Sequence, residues 1–237
     1  MRLDNYLVHK GFFESRNRAQ NAIKESLVLV NKKILKKPSY RVLDSDSIEI
    51  LESKFYISRA AKKLEEYLKE FNLPISSAKC LDVGSSTGGF TQILLENGAK
   101  EVYAVDVGKE QLHHSLRKDS RVKIYEECDI RDFKISGFDI VVSDVSFISL
   151  NYIIDSINSI AKKRAYITLL FKPQFEVGSN IKRDSKGVVL DNRAIENAKK
   201  SFLDNTKKLN WKLIDSRISK LKGKEGNIEY FYTFIKG

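Results

Sequence analysis

The sequence predicts an α/β protein: a mainly parallel sheet with helices on both faces, preceded by a small α+β unit. Three observations carry this. From Lys79 onward, short apolar runs alternate with helical segments, the pattern of βαβ units around a parallel sheet. One of those runs, "KCLDV", opens into a glycine-bearing turn, "GSSTGGF", and then a helix. Third, the charge is lopsided: the 237-residue chain carries a net +11, and residues 1 to 41 hold ten Lys and Arg against three acids. The bulk composition, 42% hydrophobic and 31% charged, is ordinary for a globular protein. The length suits one medium domain with a small one beside it.

Taken in order, "LDNYLVHKGFF" reads as a short amphipathic helix stopped by Gly11. "SRNRAQNAIKE" reads as a second helix, with Ser15 as its N-cap and Ala19 and Ile23 on one face. "LVLVN" alternates like a strand, Asn31-Lys32-Lys33 turns, and "SIEIL" alternates again. This first unit, residues 1–53, is too small for a large core. Arg2, Arg16 and Arg18, with Lys32, Lys33, Lys36 and Lys37 on the β turns, are expected to form one basic surface. Positive, exposed and indifferent to base sequence, it suits a phosphate backbone. Net charge alone is also compatible with an anionic membrane surface or with solvated lysines. Residues 54–58 read as a linker, and residues 59–237 as the second domain. A helix carrying Leu64, Tyr67, Leu68 and Phe71 comes first. The strands follow: "KCLDVG", "EVYAVDVG", "VKIYEECD", "FDIVVSDV", "RAYITLLFKP", "WKLIDSRIS" and "IEYFYTFIK".

Several classes are disfavoured. "MRLDNYLVHK" interleaves charges with apolar residues and lacks a signal peptide's apolar stretch. No run approaches the ~18 apolar residues that span a bilayer. Cys80 and Cys128 lie far apart without metal-ligand spacing and read as buried free thiols in a reducing cytoplasm. His113 and His114 adjoin with no zinc pattern around them, so no metal is expected. Nothing calls for an obligate protein partner.

The glycine turn is the most informative stretch. Gly84, Gly88 and Gly89 would let the backbone approach a ligand. The next strand ends in Asp106, where an acid can accept hydrogen bonds from a ribose diol. The spacing is not that of a dinucleotide site. Asp-x-Gly-x-x-x-Gly-Gly-Phe resembles motif I of Rossmann-like S-adenosylmethionine methyltransferases, in the version of the FtsJ-like ribose methyltransferases. The resemblance implies a cofactor held by Asp82, Gly84, Ser85, Ser86, Gly88, Gly89, Phe90, Asp106 and Val107. Asp129, in "EECDI", would meet the adenine; its plainer reading is a helix N-cap.

In "TLLFKPQFE" an apolar run ends in Lys172, followed at once by Pro173. Asp144 closes "FDIVVSD" in the same way. Both would face the crevice beyond the carboxyl ends of the strands. A lysine there can stabilise a developing alkoxide, or take a hydroxyl's proton if its own pKa is depressed. Pro173 would fix the chain direction just past it. FtsJ-like ribose methyltransferases use a Lys-Asp-Lys-Glu set. The resemblance implies Lys63, from "SRAAKKL", with Asp144, Lys172 and Glu229, from "GNIEYF". By that likeness Lys172 is nearest the 2′-hydroxyl, Asp144 orients it, and Lys63 and Glu229 position the ribose.

The pairing of "SRNRAQNAI" with "VLVNKKIL" resembles an S4 RNA-binding domain. With Arg59 at the following helix, it implies ribosomal RNA or a ribosomal subunit as partner. S4 domain, short linker and FtsJ-like domain together resemble the TlyA, or haemolysin A, family of ribosomal RNA cytidine 2′-O-methyltransferases. The chain begins at "MRLDNYL", which resembles the short form, associated with a cytidine of the large subunit. The family linker often reads Arg-x-Trp-Val; here it is "KFYI", residues 54–57. A non-catalytic RNA-binding protein is the alternative, and the intact four-residue set argues against it. Membrane lysis, preserved in the family name, lacks a spanning segment or a strongly apolar amphipathic helix.

Overall fold

The computed structural model describes residues 1–13, 15–51 and 55–237. The chain divides into two compact units, Met1–Phe55 and Tyr56–Gly237. Lys54, expected to keep the linker's charge, lies outside the described residues. Tyr56 and Ile57, also expected in the linker, are held by the second unit: the Tyr56 hydroxyl donates to the Glu65 carboxylate, and Ile57 N–H to Gln92 Oε1 at 2.8 Å.

In the first unit, helix α1 (Leu3–His9) and helix α2 (Arg16–Lys24) precede strands β1 (Val28–Val30), β2 (Lys33–Ile34) and β3 (Ile48–Ile50). Ser15 caps α2, its Oγ accepting from Arg18 N–H at 3.3 Å. The strands form an antiparallel sheet in the order β2-β1-β3. The expected three-residue turn is shorter. Asn31 and Lys32 both take positive φ, +51° and +63°, and Lys33 already pairs with Val30. Two left-handed residues in succession match the right-handed twist of a tight hairpin. Leu3, Leu7, Ala19, Ala22, Ile23, Val28 and Val30 make the small core.

The second unit opens with helix α3 (Arg59–Leu68) and strand β4 (Lys79–Val83). It continues through α4 (Gly89–Glu96), β5 (Glu101–Val105), α5 (His114–Arg117), β6 (Val122–Tyr125) and β7 (Phe138–Ser143). Then come α6 (Ile154–Ile160), β8 (Ala161–Phe171), α7 (Pro173–Glu176), α8 (Asn192–Lys208), β9 (Trp211–Ile218) and β10 (Tyr230–Lys236). The sheet order is β6-β5-β4-β7-β8-β10-β9. Every neighbouring pair is parallel except those of β10, which runs against β8 and β9. The chain leaves β4 toward β5 and later returns to its other side at β7. That reversal opens a crevice beyond the carboxyl end of β4. Two apolar clusters, around Leu64, Ile93 and Phe231 and around Phe138, Ile157 and Phe202, cover the sheet's two faces.

β6 ends at Tyr125, so Asp129 sits in a turn beyond the strand and not at its end. Cys80 is buried, and burial pushes its thiol up to about 12. Cys128, expected to be buried, is only half so, because it faces the crevice.

Candidate active site

Four charged side chains meet at one edge of the sheet. Lys172 follows the last residue of β8, and Pro173 starts α7 as its first helical residue, where the missing N–H costs nothing. Asp144 follows β7. Glu229 stands one residue before β10, just past the registered pair Tyr230–Phe171. Because β10 is antiparallel, its start lies at the same edge as the ends of β7 and β8. Lys63 reaches in from α3.

Lys172 Nζ lies 2.7 Å from Asp144 Oδ1, and both side chains are nearly buried. It also donates to Ser146 Oγ at 2.8 Å and to the Asp144 carbonyl at 3.3 Å. Asp144 Oδ1 has no aligned hydrogen bond of its own, so it keeps accepting capacity. Lys63 Nζ lies 2.6 Å from Glu229 Oε2. Gln174 Nε2 approaches Glu229 Oε1 at 3.4 Å, which ties the Lys63–Glu229 pair to the turn after Lys172.

Two adjoining cavities open here. The first, about 360 Å³, is lined by Gly84, Ser86, Asp106, Val107, Asp129 and Phe147, among others. The second, about 280 Å³, is lined by Ser58, Arg59, Asp82, Ser85, Phe90 and Lys172, among others. Asp144 and Ser146 line both. Asp106 accepts from the N–H groups of Ser86 at 2.8 Å and Gly108 at 2.7 Å, which aims its carboxylate along the first cavity's wall. Asp129 is held by Arg131, whose Nη2 lies 2.6 Å from Oδ2 and lowers its pKa. No helix begins there, so it is not an N-cap.

Asp82 is wholly buried. Its Oδ2 accepts from Thr91 N–H at 2.8 Å and Thr91 Oγ1 at 2.7 Å, while Oδ1 has no partner. Burial, opposed by those two bonds and abetted by Asp144 and Asp106, pushes its pKa up to about 7. Ser58 Oγ is also buried and unpartnered. Both residues line the second cavity. The glycines divide the work differently from the expectation. Gly84, at φ +76°, lines both cavities. Gly88 and Gly89 line neither; a Cβ would meet Leu116 at 2.2 Å on the first and Ser58 at 2.2 Å on the second. They make room for protein, packing the start of α4 against α3 and α5.

In the first unit, Asp4 is fully buried and organises two of the expected RNA contacts. Arg2 Nε and Arg16 Nε each lie 3.0 Å from it. The hydrogen bonds of Arg2, then Gln20 and Arg16, hold its carboxyl far below the usual range. Arg18 stacks over the Phe55 ring at 4.2 Å. Lys32, Lys33, Lys36 and Lys37 are exposed. Asp46 ties the lysine turn to the following loop, accepting from Asn31 Nδ2 at 2.7 Å and Leu43 N–H at 2.9 Å. Arg59, in the second unit, is exposed and donates to the Lys222 carbonyl at 3.1 Å.

Residues 56–236 match the FtsJ-like methyltransferase family and residues 1–48 match the S4 domain. A Campylobacter jejuni protein, "23S rRNA (cytidine-2'-O)-methyltransferase TlyA", is 45% identical over 100% of both chains. The chain belongs to the TlyA family of FtsJ-like methyltransferases. A second family member, the "16S/23S rRNA (cytidine-2'-O)-methyltransferase TlyA" of Mycobacterium tuberculosis, is 36% identical over 97% of this chain and 88% of its own. A solved structure from Streptococcus thermophilus that carries a hemolysin name is 34% identical, with a TM-score of 0.73, over 100% of this chain and 88% of that one.

Several residues of this candidate site lie outside the sequence motifs. Ser146 shares the Lys172 ammonium. Glu176 accepts from Ser149 Oγ at 2.5 Å and Leu150 N–H at 2.8 Å, so it pins the loop carrying Ser146 to the turn after Lys172. Phe147 is 91% exposed at positive φ and leans on Phe175, ring centroids 5.1 Å apart. Only an exposed aromatic two residues from a buried cluster would have flagged it, and exposure is not legible in sequence. Among the described residues, no helix is long and apolar enough to cross a membrane, and no group of His, Cys, Asp and Glu could hold a metal ion.

Proposed function

We propose that this chain transfers a methyl group from S-adenosylmethionine to the ribose 2′-hydroxyl of a cytidine in ribosomal RNA, in the large subunit. The observation that carries the reading is the nearly buried Lys172–Asp144 pair, 2.7 Å apart, with Asp144 on the wall common to both cavities and Lys172 on that of the second. The residues fit the cofactor. Asp106 and Asp129 in the first cavity suit a ribose diol and an adenine, with Val107 and Ser86 beside them. In the second cavity, the unpartnered Asp82 Oδ1 and Ser58 Oγ suit an amino-acid end, whose ammonium would supply the missing donor. Ser85 and Phe90 complete that wall, and Gly84, Gly88 and Gly89 shape the turn. When bound, the cofactor supplies an electrophilic methyl group.

The chain's own residues act on the hydroxyl. A ribose 2′-hydroxyl is a poor nucleophile at neutral pH. Lys172 offers it an N–H donor by releasing its longest bond, the one to the Asp144 carbonyl, and stabilises the oxyanion as it forms, while the hydroxyl's proton leaves to solvent as the new O–CH3 bond is made. Asp144 Oδ1, 2.7 Å away, keeps that ammonium aimed. The Lys63–Glu229 pair positions the ribose, Glu229 Oε1 accepting from a sugar hydroxyl. Alignment with the methyl group then carries much of the rate.

The first unit, Met1–Phe55, serves as the RNA platform and the second, Tyr56–Gly237, as the catalytic domain. Arg2, Arg16, Arg18, Lys32, Lys33, Lys36, Lys37 and Arg59 face phosphates in this reading. Phe147 offers a ring on which the displaced base stacks. The large subunit is favoured because the relative matched over both whole chains is named for 23S rRNA. A ribosomal substrate puts the activity in the cytoplasm.

The test is methyl transfer from labelled S-adenosylmethionine to both ribosomal subunits from cells lacking this protein, with the product nucleotide mapped. The expected result is 2′-O-methylcytidine in the large subunit alone. Cofactor binding with no incorporation into either subunit would overturn it in favour of a non-catalytic RNA-binding role.

A further inference from the structure

Resting on that reading of the site, we infer that two loops of the second unit form a cradle for the RNA phosphates beside the methylated nucleotide, with Lys182, Lys186, Lys222 and Lys224 as its charges. The first loop, residues 178–190, hangs on Arg183. Its guanidinium donates to the carbonyls of Ser179 at 3.1 Å, Ile181 at 2.8 Å, Gln174 at 3.3 Å and Gly178 at 2.8 Å. Arg183 is therefore spent inside the loop and fastens it to the turn after Lys172.

Asn227, buried in the second loop, joins the two. Its Oδ1 accepts from Val189 N–H at 3.0 Å and its Nδ2 donates to the Gly187 carbonyl at 3.3 Å. Its own carbonyl accepts from Gly223 N–H at 2.8 Å. Gly223 lies directly on the site: a Cβ there would come within 2.6 Å of Glu229 Oε1. Lys222 and Lys224 flank that glycine. The Lys222 carbonyl accepts from Arg59, which lines the second cavity. Both lysine pairs thus ride on backbone fastened to the rim where a ribose would reach Lys172.

The charges are free. All four lysines are exposed, and among the described residues none is paired with an acid. The nearby Lys220 is different, held by Glu66 and Glu70. Elsewhere Lys69, Lys109, Lys162, Lys199 and Lys207 each face an acid. Unpaired ammonium groups on loops tied by hydrogen bonds to the turn after Lys172 match the chemistry of a phosphate backbone, which fixes register without reading bases. A nucleotide taken out of its stack needs its flanking phosphates held.

The experiment reverses the pairs in the full chain, as Lys222→Glu with Lys224→Glu and as Lys182→Glu with Lys186→Glu. Lys207→Glu with Lys208→Glu, on the last turn of α8 before β9 starts at the opposite sheet edge, is the control. RNA affinity is measured against salt, with cofactor affinity and the KM and kcat of methyl transfer. Each cradle pair should weaken RNA binding at least ~10-fold at about 0.1 M salt and flatten the log–log salt slope by roughly 0.7–0.9 for each phosphate no longer neutralised. KM for RNA should rise while cofactor affinity holds. Losses no greater than the control's would overturn the cradle, as would intact RNA binding with lost adsorption to anionic vesicles. The unsubstituted chain, assayed alongside, separates the claims: if it methylates no rRNA the proposed function fails, whereas normal methylation by the cradle variants defeats only the cradle.

Discussion

Lys63 Nζ stands 2.6 Å from Glu229 Oε2 across 166 residues of chain, with side chains 8% and 2% exposed. Removing one partner from such a pair strands a buried charge, which costs about 3–5 kcal/mol, whereas replacing both with apolar groups of similar volume is often neutral. Glu229→Leu and Lys63→Met should therefore each lower unfolding free energy by about 3 kcal/mol, and the double variant by much less than the sum. Denaturant unfolding of the four proteins gives the coupling. Additive losses would mean that the two side chains are held by their separate surroundings.

Lys172→Met should reduce methyl transfer by roughly 10²–10³ or more, the scale for losing a donor at a developing oxyanion. RNA affinity should stay nearly unchanged. Single-turnover transfer measured beside RNA and cofactor binding decides it. A large loss of RNA affinity would move Lys172 from chemistry to binding.

Asp82 should make stability fall as pH rises. An ordinary Asp titrates near about 3.9, while burial pushes Asp82 up to about 7. Between those values the unfolded chain has released its proton and the folded chain has not. Folding thus loses up to about 1.4 kcal/mol per pH unit across this window and levels off above it. Asp82→Asn abolishes the titration, so its stability relative to the unsubstituted protein should climb from about pH 4 to about 7. Unfolding midpoints across that range test this, and a pH-independent difference would show that Asp82 stays ionised when buried.

Phe147 should trade stability for activity. Its φ of +66° suits glycine better than an aromatic residue. Phe147→Gly should leave the melting temperature unchanged or raise it slightly. If a base stacks on the ring, the same change should weaken rRNA methylation by about 1–3 kcal/mol. Full activity in a folded Phe147→Gly protein would remove the ring from the site.

How much of this was legible in the sequence differs from element to element. The parallel strands were legible because burial on both faces makes each a continuous apolar run, and the pairing of Ser15 with α2 because a cap is local chemistry. Boundaries were less so: "VKIYEECD" reads as one strand, yet it ends at Tyr125. The four charged candidates were found by motif, but their division into two ion pairs was not.

The amino-acid sequence by itself determined the order of the elements, the glycine turn after β4 and the concentration of positive charge in the first 41 residues, because each depends on neighbours a few positions apart. Only the tertiary structure decided that Lys172 pairs with Asp144 and Lys63 with Glu229, that Gly88 and Gly89 face protein and line neither cavity, that Asp4 holds Arg2 and Arg16, and that Asn227 brings two lysine loops to one rim. The two ion pairs close 28 and 166 residues of chain. Their partners are chosen by the order of strands in the sheet, where an antiparallel final strand starts beside the ends of its neighbours, and no local pattern encodes that choice.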